Sequence, residues 1–281
     1  MKVWKKVLWL WLAALTAEAA SEQRQQGPIV LDGHFIQGGM VLGTAPKGTQ
    51  LTLNGKALRL TGDGRFVFGF GRDEPLSHQL SWHRPGQSGQ MAITINKRKY
   101  DIQKINGVAS KYVNPDPNVD ARIKEDNRKL AAARKRDENL GYFLQPFIWP
   151  AEGRLSGVYG SQRIFNGEPR NPHYGLDLSA PTGAPVYAPA GGLVTLVEPD
   201  MYFSGGTLIV DHGYGLSSTF IHLSKIEVKA GQRVEQGDLI ARVGATGRVT
   251  GPHLDWRVNW FSTRLDPQLL VPPRSDTQKR K

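Results

Sequence analysis

The chain has 281 residues, a formal net charge of +11 and no cysteine. A chain without cysteine has neither disulfide bonds nor a lipid-modified cysteine. The length is enough for one large core or two medium ones, so we expect two domains with connections. The positive charge favours contact with anionic material, such as a cell-wall polymer, a lipid surface or nucleic acid, without deciding among them.

Residues 1–19 have the pattern of an export signal. Lys2, Lys5 and Lys6 precede an apolar run at 7–15, and Ala17-Glu18-Ala19 fits a small-x-small cleavage site. The alternative is an uncleaved membrane anchor, with Trp9 and Trp11 in the lipid interface. No later apolar run is long enough to cross a bilayer, so we expect no transmembrane segment after cleavage.

Residues 27–108 predict a small, immunoglobulin-like β-sandwich. In "QLTLNGKALRL", Asn54-Gly55 separates two alternating runs, which is a strong hairpin signal. Residues 91–95 and 99–102 predict a further strand pair. The histidines of this segment, His34, His78 and His83, lack a common ligand spacing, which favours structural roles. The segment could alternatively be a sugar-binding or protein-binding module, or a cover for a groove elsewhere, although Trp82 is its only tryptophan.

Residues 114–144 predict a helical linker. Two prolines open the segment, strong helix formers follow, and Gly141 is a natural stop. Charges surround most of this helix, which favours a solvated connector, while Ile123 and Leu130 could dock it against a neighbouring domain. At the other end of the chain, residues 272–281 are typical of a disordered basic tail.

Residues 145–271 are rich in glycine and in β-type runs, which predicts an antiparallel sheet or sandwich. Three of its motifs contain metal-binding residue types. His173 and Asp177 form an HxxxD pair in "HYGLD", His222 is central in "FIHLS", and His253 and Asp255 lie two apart in "TGPHLDW". Side chains two apart on a strand share a face, so His253 and Asp255 should look into one cleft, with Leu254 and Trp256 facing away.

The blocks "HYGLDLSAPTGAPVYAPAGG", "VDHGYGLSSTFIHLS", "VKAGQRVEQGDLIARVGATG" and "TGPHLDW" resemble, in unbroken order, those of the lysostaphin/LytM-type zinc metallopeptidases. The resemblance covers roughly residues 149–270 and implies a LytM-type antiparallel domain with the duplicated hybrid motif. It implies one Zn²⁺ per chain, bound by His173 and Asp177. It also implies that His222 and His253 act on the attacking water and the substrate carbonyl, and that His212 is structural.

The chain departs from the family pattern at Asp255, which stands where the family has its third ligand, the second histidine of an HxH motif. Zinc accepts carboxylate oxygen as well as imidazole nitrogen, so Asp255 can complete a set of three protein ligands. Arg257 lies on the same strand face and could hydrogen-bond the outer oxygen of Asp255. Alternatively, Asp255 and Arg257 are a surface ion pair left after the ligand was lost.

The resemblance implies an exported zinc endopeptidase that hydrolyses peptide crosslinks of peptidoglycan. A signal peptide, a β domain and a connector suit the periplasm of a Gram-negative bacterium. They favour D-Ala to diaminopimelate crosslinks over Gly-Gly bridges. Peptidoglycan is then the partner, and nucleic acid is not. The alternative function is a catalytically degenerate LytM-like module that binds the wall or regulates another hydrolase, although such modules generally lose several site residues together.

Overall fold

The computed structural model describes residues 21–105, 119–165 and 167–274. Within these ranges the chain is mainly β, with a single α-helix. The predicted export signal, the prolines before the helix and residues 275–281 of the predicted tail lie outside the described residues. Arg274, inside them, stacks its guanidinium 4.0 Å from the ring centroid of Trp149. Searched over the same ranges, the chain has no helix with the length and apolarity that crossing a bilayer requires.

Eight strands form the N-terminal part as two four-stranded antiparallel sheets. In chain order they are β1 (Glu22–Gln26), β2 (Ile29–Gly33), β3 (Met40–Thr44), β4 (Gln50–Leu53), β5 (Lys56–Leu58), β6 (Arg65–Gly69), β7 (Ser77–Arg84) and β8 (Gln87–Thr94). The sheets have the orders β1-β2-β3-β6 and β5-β4-β7-β8. Leu31 and Phe68 of the first sheet share a buried cluster with Leu51 and Leu80 of the second. This shared core makes the two sheets a β-sandwich, as predicted.

The predicted hairpin joins β4 to β5, and its turn residues Asn54 and Gly55 have φ angles of 49° and 79°. Positive φ at both positions is what a two-residue hairpin turn of the primed type requires. His78 is buried against the same hairpin, where its Nδ1 lies 2.9 Å from the side-chain nitrogen of Asn54. Its Nε2 donates to the backbone oxygen of Pro75 at 2.7 Å, so this histidine is structural.

The predicted pairing of residues 91–95 with 99–102 is wrong. Strand β8 pairs with β7, whereas β9 (Ile102–Ile105) pairs in parallel with a strand of the C-terminal part. The chain leaves the sandwich at Asn96, whose backbone nitrogen donates to Phe35. Two residues later, Arg98 forms a 2.6 Å ion pair with the buried Asp266. This contact between the two parts of the chain draws β9 away from β8.

The C-terminal part begins with α1 (Asp120–Arg134) and a short 3-10 helix (Tyr142–Leu144) and ends with a second 3-10 helix (Pro267–Leu270). Between them lie β10 (Arg154–Gly157), β11 (Gln162–Phe165), β12 (Glu168–Pro169), β13 (Leu176–Ser179), β14 (Pro185–Tyr187), β15 (Gly192–Met201), β16 (Gly205–Gly213), β17 (Leu216–Leu223), β18 (Lys225–Ile226), β19 (Arg233–Val234), β20 (Leu239–Arg242), β21 (His253–Trp260) and β22 (Thr263–Leu265).

One large sheet has the order β10-β13-β21-β17-β16-β15-β19, with β22 paired to β21. Two smaller sheets, β12-β11-β9 and β14-β20-β18, complete this part. On β21 the side chains alternate as predicted. Leu254, Trp256 and Val258 are fully buried in the apolar core, so His253, Asp255 and Arg257 project from the opposite face.

Helix α1 is mostly exposed, with Ala133 as its buried residue, and it contacts the large sheet through polar side chains. Arg122 and Lys129 form ion pairs of 2.8 Å with Asp200 and Glu198 of β15. At the end of the helix, Arg134 donates to the hydroxyl of Thr219 on β17, at 3.4 Å. Thr219 is the cross-strand partner of Arg257. The helix therefore covers part of the face that carries His253 and Asp255.

Neighbouring residues on β16 have pKa values shifted in opposite directions. Burial lowers the pKa of His212 to about 4, and the imidazole lies between the backbone oxygen of Gly191 and the hydroxyl of Ser218. Burial raises the pKa of Asp211 to about 6, with a further contribution from Glu138. His212 is thus a neutral structural histidine, in keeping with its predicted role.

These two pKa shifts predict pH effects of opposite sign on the free energy of unfolding. The neutral form of His212 contributes stability above pH 6.5, and this is lost as the pH falls toward 4. The protonated form of Asp211 contributes stability below pH 3.8, and this is lost as the pH rises toward 6. Each effect is worth about 3 kcal/mol, so the two nearly cancel between pH 4 and 6.

We expect His212→Gln to gain about 3 kcal/mol of unfolding free energy relative to the unmodified protein as the pH falls from 6.5 to 4. Asp211→Asn should lose a similar amount over the same interval. Urea denaturation of both variants across this range measures the two differences. Parallel pH profiles for the two variants and the unmodified protein would contradict the assignment.

Candidate metal centre and active site

The polar face of the large sheet carries acidic side chains in register across neighbouring strands. Asp177 on β13 is directly opposite Asp255 on β21, which in turn is opposite Ile221 on β17. Directly opposed residues of an antiparallel pair share a face, so both carboxylates project to the same side. We call this set, Asp177, Asp255 and Ile221, the metal row.

His173 reaches the metal row from the loop before β13. Its Nε2 lies 3.0 Å from Asp177 Oδ1 and 3.5 Å from Asp255 Oδ2. One ligand atom from each of these three residues lies within 4.8 Å of the other two. His173 Nε2 and Asp177 Oδ1 are buried, and neither has a hydrogen bond of acceptable geometry with any described group. Two orphaned ligand atoms that converge with a third carboxylate fit a metal ion.

The charges of His173, Asp177 and Asp255 strongly influence one another's ionisation. Burial disfavours a charged His173, but Asp177 and Asp255 outweigh it and raise the pKa of His173 to about 10. Burial likewise opposes the ionisation of Asp255, yet Arg257 and His173 hold its pKa far below the usual range. Without a metal, the two carboxylates therefore share a protonated His173. Because a metal needs the neutral imidazole, its binding releases that proton.

All three histidines of the site have the same ring nitrogen, Nδ1, held by a backbone oxygen. The Nδ1 atoms of His173, His222 and His253 lie 3.2, 2.9 and 2.9 Å from the backbone oxygens of Val158, Thr246 and Gly251. A carbonyl oxygen only accepts, so each Nδ1 must carry the hydrogen and each neutral ring keeps its lone pair on Nε2. This arrangement leaves three Nε2 atoms available for a metal or for proton transfer.

His222 reaches the site because strand β17 is irregular there. Between Phe220 and Leu223 the strand has one residue more than its partner β16, and His222 has a φ of 66°. The bulge interrupts the alternation and turns His222 toward His253, with the two ring centroids 4.9 Å apart. Left-handed backbone at a non-glycine residue is strained, and such strain concentrates at functional sites. The sequence predicted the histidine but not the bulge that aims it.

Arg257 binds both oxygens of Asp255. Its Nε lies 2.9 Å from Oδ1, and its Nη2 lies 2.5 Å from Oδ2. The side chain of Asp255 is only 3% exposed and that of Arg257 26% exposed, so this is not a surface ion pair. Gly175 makes room for the pair, because a Cβ atom there would lie 2.4 Å from Asp255 Oδ1. We predicted a hydrogen bond from Arg257 to one oxygen of Asp255, and the structure has a bidentate contact with both oxygens.

The structure brings the five predicted site residues, His173, Asp177, His222, His253 and Asp255, into one region, where their roles remain predictions. His253 is nearer the acidic cluster, with Nε2 3.9 Å from Asp177 Oδ1. Sequence analysis did not find Arg134 and Arg264, which share electrostatic interactions with Arg257. The register of β22 on β21 places Arg264 on this face, and no motif in the sequence indicated that register.

Comparisons with known proteins agree with this geometry. Residues 171–267 match the family described as Peptidase family M23. The chain is 29% identical over 188 residues to the peptidoglycan DD-endopeptidase ShyA of Vibrio cholerae, a match that covers 65% of this chain and 43% of the relative. It is 31% identical over 208 residues to an uncharacterized metalloprotease of Haemophilus influenzae, covering 70% of this chain and 42% of the relative. The chain thus spans less than half the length of these curated relatives.

Among solved structures, a candidate M23 peptidase from Pseudomonas aeruginosa superposes with a TM-score of 0.64 and 29% sequence identity. The match covers 84% of this chain and 94% of that one. It therefore includes the N-terminal sandwich as well as the region that holds the site.

Proposed function

Residues 171–267 form a peptidase family M23 domain, and on that premise we propose that the chain is an exported zinc metalloendopeptidase that hydrolyses peptide crosslinks of bacterial peptidoglycan. The observation that carries the proposal is the convergence of His173, Asp177 and Asp255, with two of their buried ligand atoms lacking a hydrogen bond of acceptable geometry within the described chain. One nitrogen and two carboxylate oxygens are a donor set that zinc accepts in hydrolases.

His173, Asp177 and Asp255 would hold the zinc ion through one nitrogen and two carboxylate oxygens. When bound there, zinc polarises an amide carbonyl and makes water acidic enough to react near neutral pH. The Arg257 guanidinium fixes the carboxylate of Asp255 and withdraws part of its charge. That withdrawal offsets the weaker Lewis acidity expected when two carboxylates bind one ion.

His253 and His222 supply the proton transfers. The Nε2 lone pair of His253 borders the acidic cluster, so it can accept a proton from the attacking water. His222 lies beside His253, with the two ring centroids 4.9 Å apart, and its own Nδ1 is anchored on the backbone oxygen of Thr246. The protonated His253 can then return this proton to the leaving amine, and His222, once protonated on Nε2, can donate a hydrogen bond to the oxyanion. Both roles need the backbone contacts that fix the tautomer.

Several features support peptidoglycan as the substrate. Two relatives named peptidoglycan DD-endopeptidases match 65% and 31% of this chain. The net charge of +11 suits a polyanionic wall. The export pattern at residues 1–19 suits the periplasm of a Gram-negative bacterium, where D-Ala to diaminopimelate crosslinks are the matching bonds.

Purified, crosslinked muropeptide dimers test the proposal directly. We expect the zinc-loaded protein to convert dimers to monomers, and a chelator to abolish this conversion until zinc is restored. Liquid chromatography with mass identification of the products measures the loss of dimers and identifies the bond. A zinc-loaded, folded protein that leaves every dimer intact, both in full length and as a chain that starts at Leu144, would overturn the proposal.

A second candidate is a degenerate module that binds the wall or regulates another hydrolase. The contact that favours it is Arg257, since it engages both oxygens of Asp255 and so competes with a metal for them. Isothermal titration with zinc separates the two functions. Binding of one ion per chain favours the hydrolase, whereas no binding together with sedimentation on purified wall favours the module.

A further inference from the structure

The polar face of the large sheet continues beyond the metal row. Two residues beyond Asp255 on β21, Arg257 is opposite Thr219 of β17. Two residues further, Asn259 is opposite Ser217 on one side and Arg264 on the other. Ser217 in turn is opposite Asp211 on β16. We call this set, Arg264, Asn259, Ser217 and Asp211, the outer row, and its side chains share the face of the metal row.

The outer row contains polar groups that nothing in the described chain satisfies. Asn259 is fully buried, yet neither the oxygen nor the nitrogen of its side-chain amide has a hydrogen-bond partner among the described residues. Ser217 Oγ and Arg264 Nη1 are also buried without a partner. Leaving such groups unpaired costs roughly 1–3 kcal/mol each, and native proteins rarely tolerate several together. Adjacent unpaired groups on a strand face beside a reaction site indicate a place for a ligand.

A third arginine, Arg134, reaches this face of the sheet from helix α1. Arg134, at the end of α1, contacts Thr219, and its Nε is buried without a partner. Burial lowers the pKa of Arg134 to about 9, with further contributions from Arg264 and Arg257. Arg257 is neutralised by Asp255, whereas neither Arg134 nor Arg264 forms an ion pair with an acidic side chain of the described residues. The backbones of Asp211, the acid of the outer row, and Arg264 are about 14 Å apart, because three strand spacings separate β16 from β22.

We propose that Arg134 and Arg264, with Asn259 and Ser217 on the sheet, form a subsite for a carboxylate carried by the substrate chain, an inference that rests on the proposed function. Guanidinium groups match a carboxylate in charge and in planar hydrogen-bond geometry, and the Asn259 amide and the Ser217 hydroxyl add uncharged donors. A carboxylate placed there pairs the two cations and satisfies the donors that the sheet leaves open.

The spacing defines which carboxylate fits. Asn259 lies four residues beyond Asp255, which is about 13 Å along the strand. An extended peptide covers that distance in about four residues, or fewer when the arginine side chains reach back toward the metal row. Peptidoglycan stem peptides carry free carboxylates at this range from the crosslink amide. The subsite therefore selects the acidic stem rather than the bond itself.

A matched pair of stem tetrapeptides tests the subsite without hydrolysis. One is L-Ala-γ-D-Glu-diaminopimelate-D-Ala with every carboxylate free, and the other has only the glutamate α-carboxylate converted to the carboxamide. Isothermal titration of each peptide into full-length, chelator-treated protein measures the preference. We expect the free acid to bind about 10- to 100-fold more tightly than the amide, the range of charge-assisted hydrogen bonds.

Arg264→Gln and Arg134→Gln should each reduce this preference to less than about threefold. Arg128→Gln, which removes the same charge from an exposed position on α1 paired with Glu125, should leave it unchanged. If Arg264→Gln does not fold, Arg134→Gln decides, because its side chain arises from the helix rather than the sheet. Equal affinities for the two peptides, absence of binding, or a preference that survives both substitutions would overturn the subsite.

The binding assay also separates the subsite from the proposed function. If the protein shows chelator-sensitive dimer cleavage but no preference for the free acid, only the proposed subsite is contradicted. If it prefers the free acid but cleaves no dimer, only the proposed hydrolase function is contradicted.

Discussion

Asp255→Ala is expected to abolish stoichiometric zinc binding and to lower muropeptide hydrolysis by more than about 100-fold. Loss of a residue that only orients a ligand costs about 10- to 100-fold in metal affinity or activity, and loss of a ligand should cost more. Two ligands, His173 and Asp177, would remain, which is fewer than the three that hold catalytic zinc. Zinc content by atomic emission and dimer cleavage by chromatography measure the two losses.

The same substitution has a second effect that does not involve metal. It leaves the guanidinium of Arg257 without its carboxylate partner in a largely buried position. Removing one partner of a buried ion pair costs about 3–5 kcal/mol, and the partial exposure of Arg257 places the expected loss near 3 kcal/mol. Denaturant unfolding of the metal-free protein measures this cost separately from zinc.

A double variant distinguishes the two effects. Asp255→Ala with Arg257→Met replaces the pair by apolar groups, so we expect most of the stability to return while zinc binding stays absent. Asp32→Ala, an exposed position on β2, controls for the loss of one negative charge. Normal zinc content in Asp255→Ala would exclude Asp255 as a ligand and leave it a purely structural partner of Arg257.

The alternation of Leu254, Trp256 and Val258 with His253, Asp255 and Arg257 was predictable because a strand buried on one face requires it. The same reasoning located the Asn54-Gly55 hairpin, whose positive φ angles only a few residue types adopt easily. Local patterns of this kind depend on the strand itself and on its nearest neighbours. They therefore identified the sandwich and the β-rich C-terminal part.

Features set by long-range contacts were not predictable. Strand β9 leaves the sandwich because of the contact of Arg98 with Asp266, 168 residues away. His222 faces the site because a bulge in β17 turns it, and no local pattern distinguishes that bulge from regular strand. Arg134 and Arg264 meet Arg257 through the docking of α1 and the register of β22. The resemblance supplied the candidate ligands, but the outer row became visible only in the folded chain.

His253→Ala is expected to lower the turnover number of dimer cleavage by about 100- to 10,000-fold, the usual contribution of a general base. Zinc content should remain one ion per chain, because the acidic cluster of His173, Asp177 and Asp255 does not require His253. His222→Ala should also retain zinc but lose less activity. Its ring reaches the site beside His253, whereas His253 Nε2 itself lies 3.9 Å from Asp177 Oδ1.

Steady-state kinetics with zinc-loaded variants separate this role from packing. A residue that moves protons in the transition state lowers the turnover number and leaves KM nearly unchanged, whereas a repacked site changes both. His83→Ala, an exposed histidine of the sandwich that contacts Ser88, is the matched control and should behave as the unmodified protein. If His253→Ala loses its zinc, His253 belongs among the ligands. If both His253→Ala and His222→Ala keep full activity, the water must lose its proton to another group, such as the carboxylate of Asp177, whose Oδ1 lies 3.9 Å from His253 Nε2.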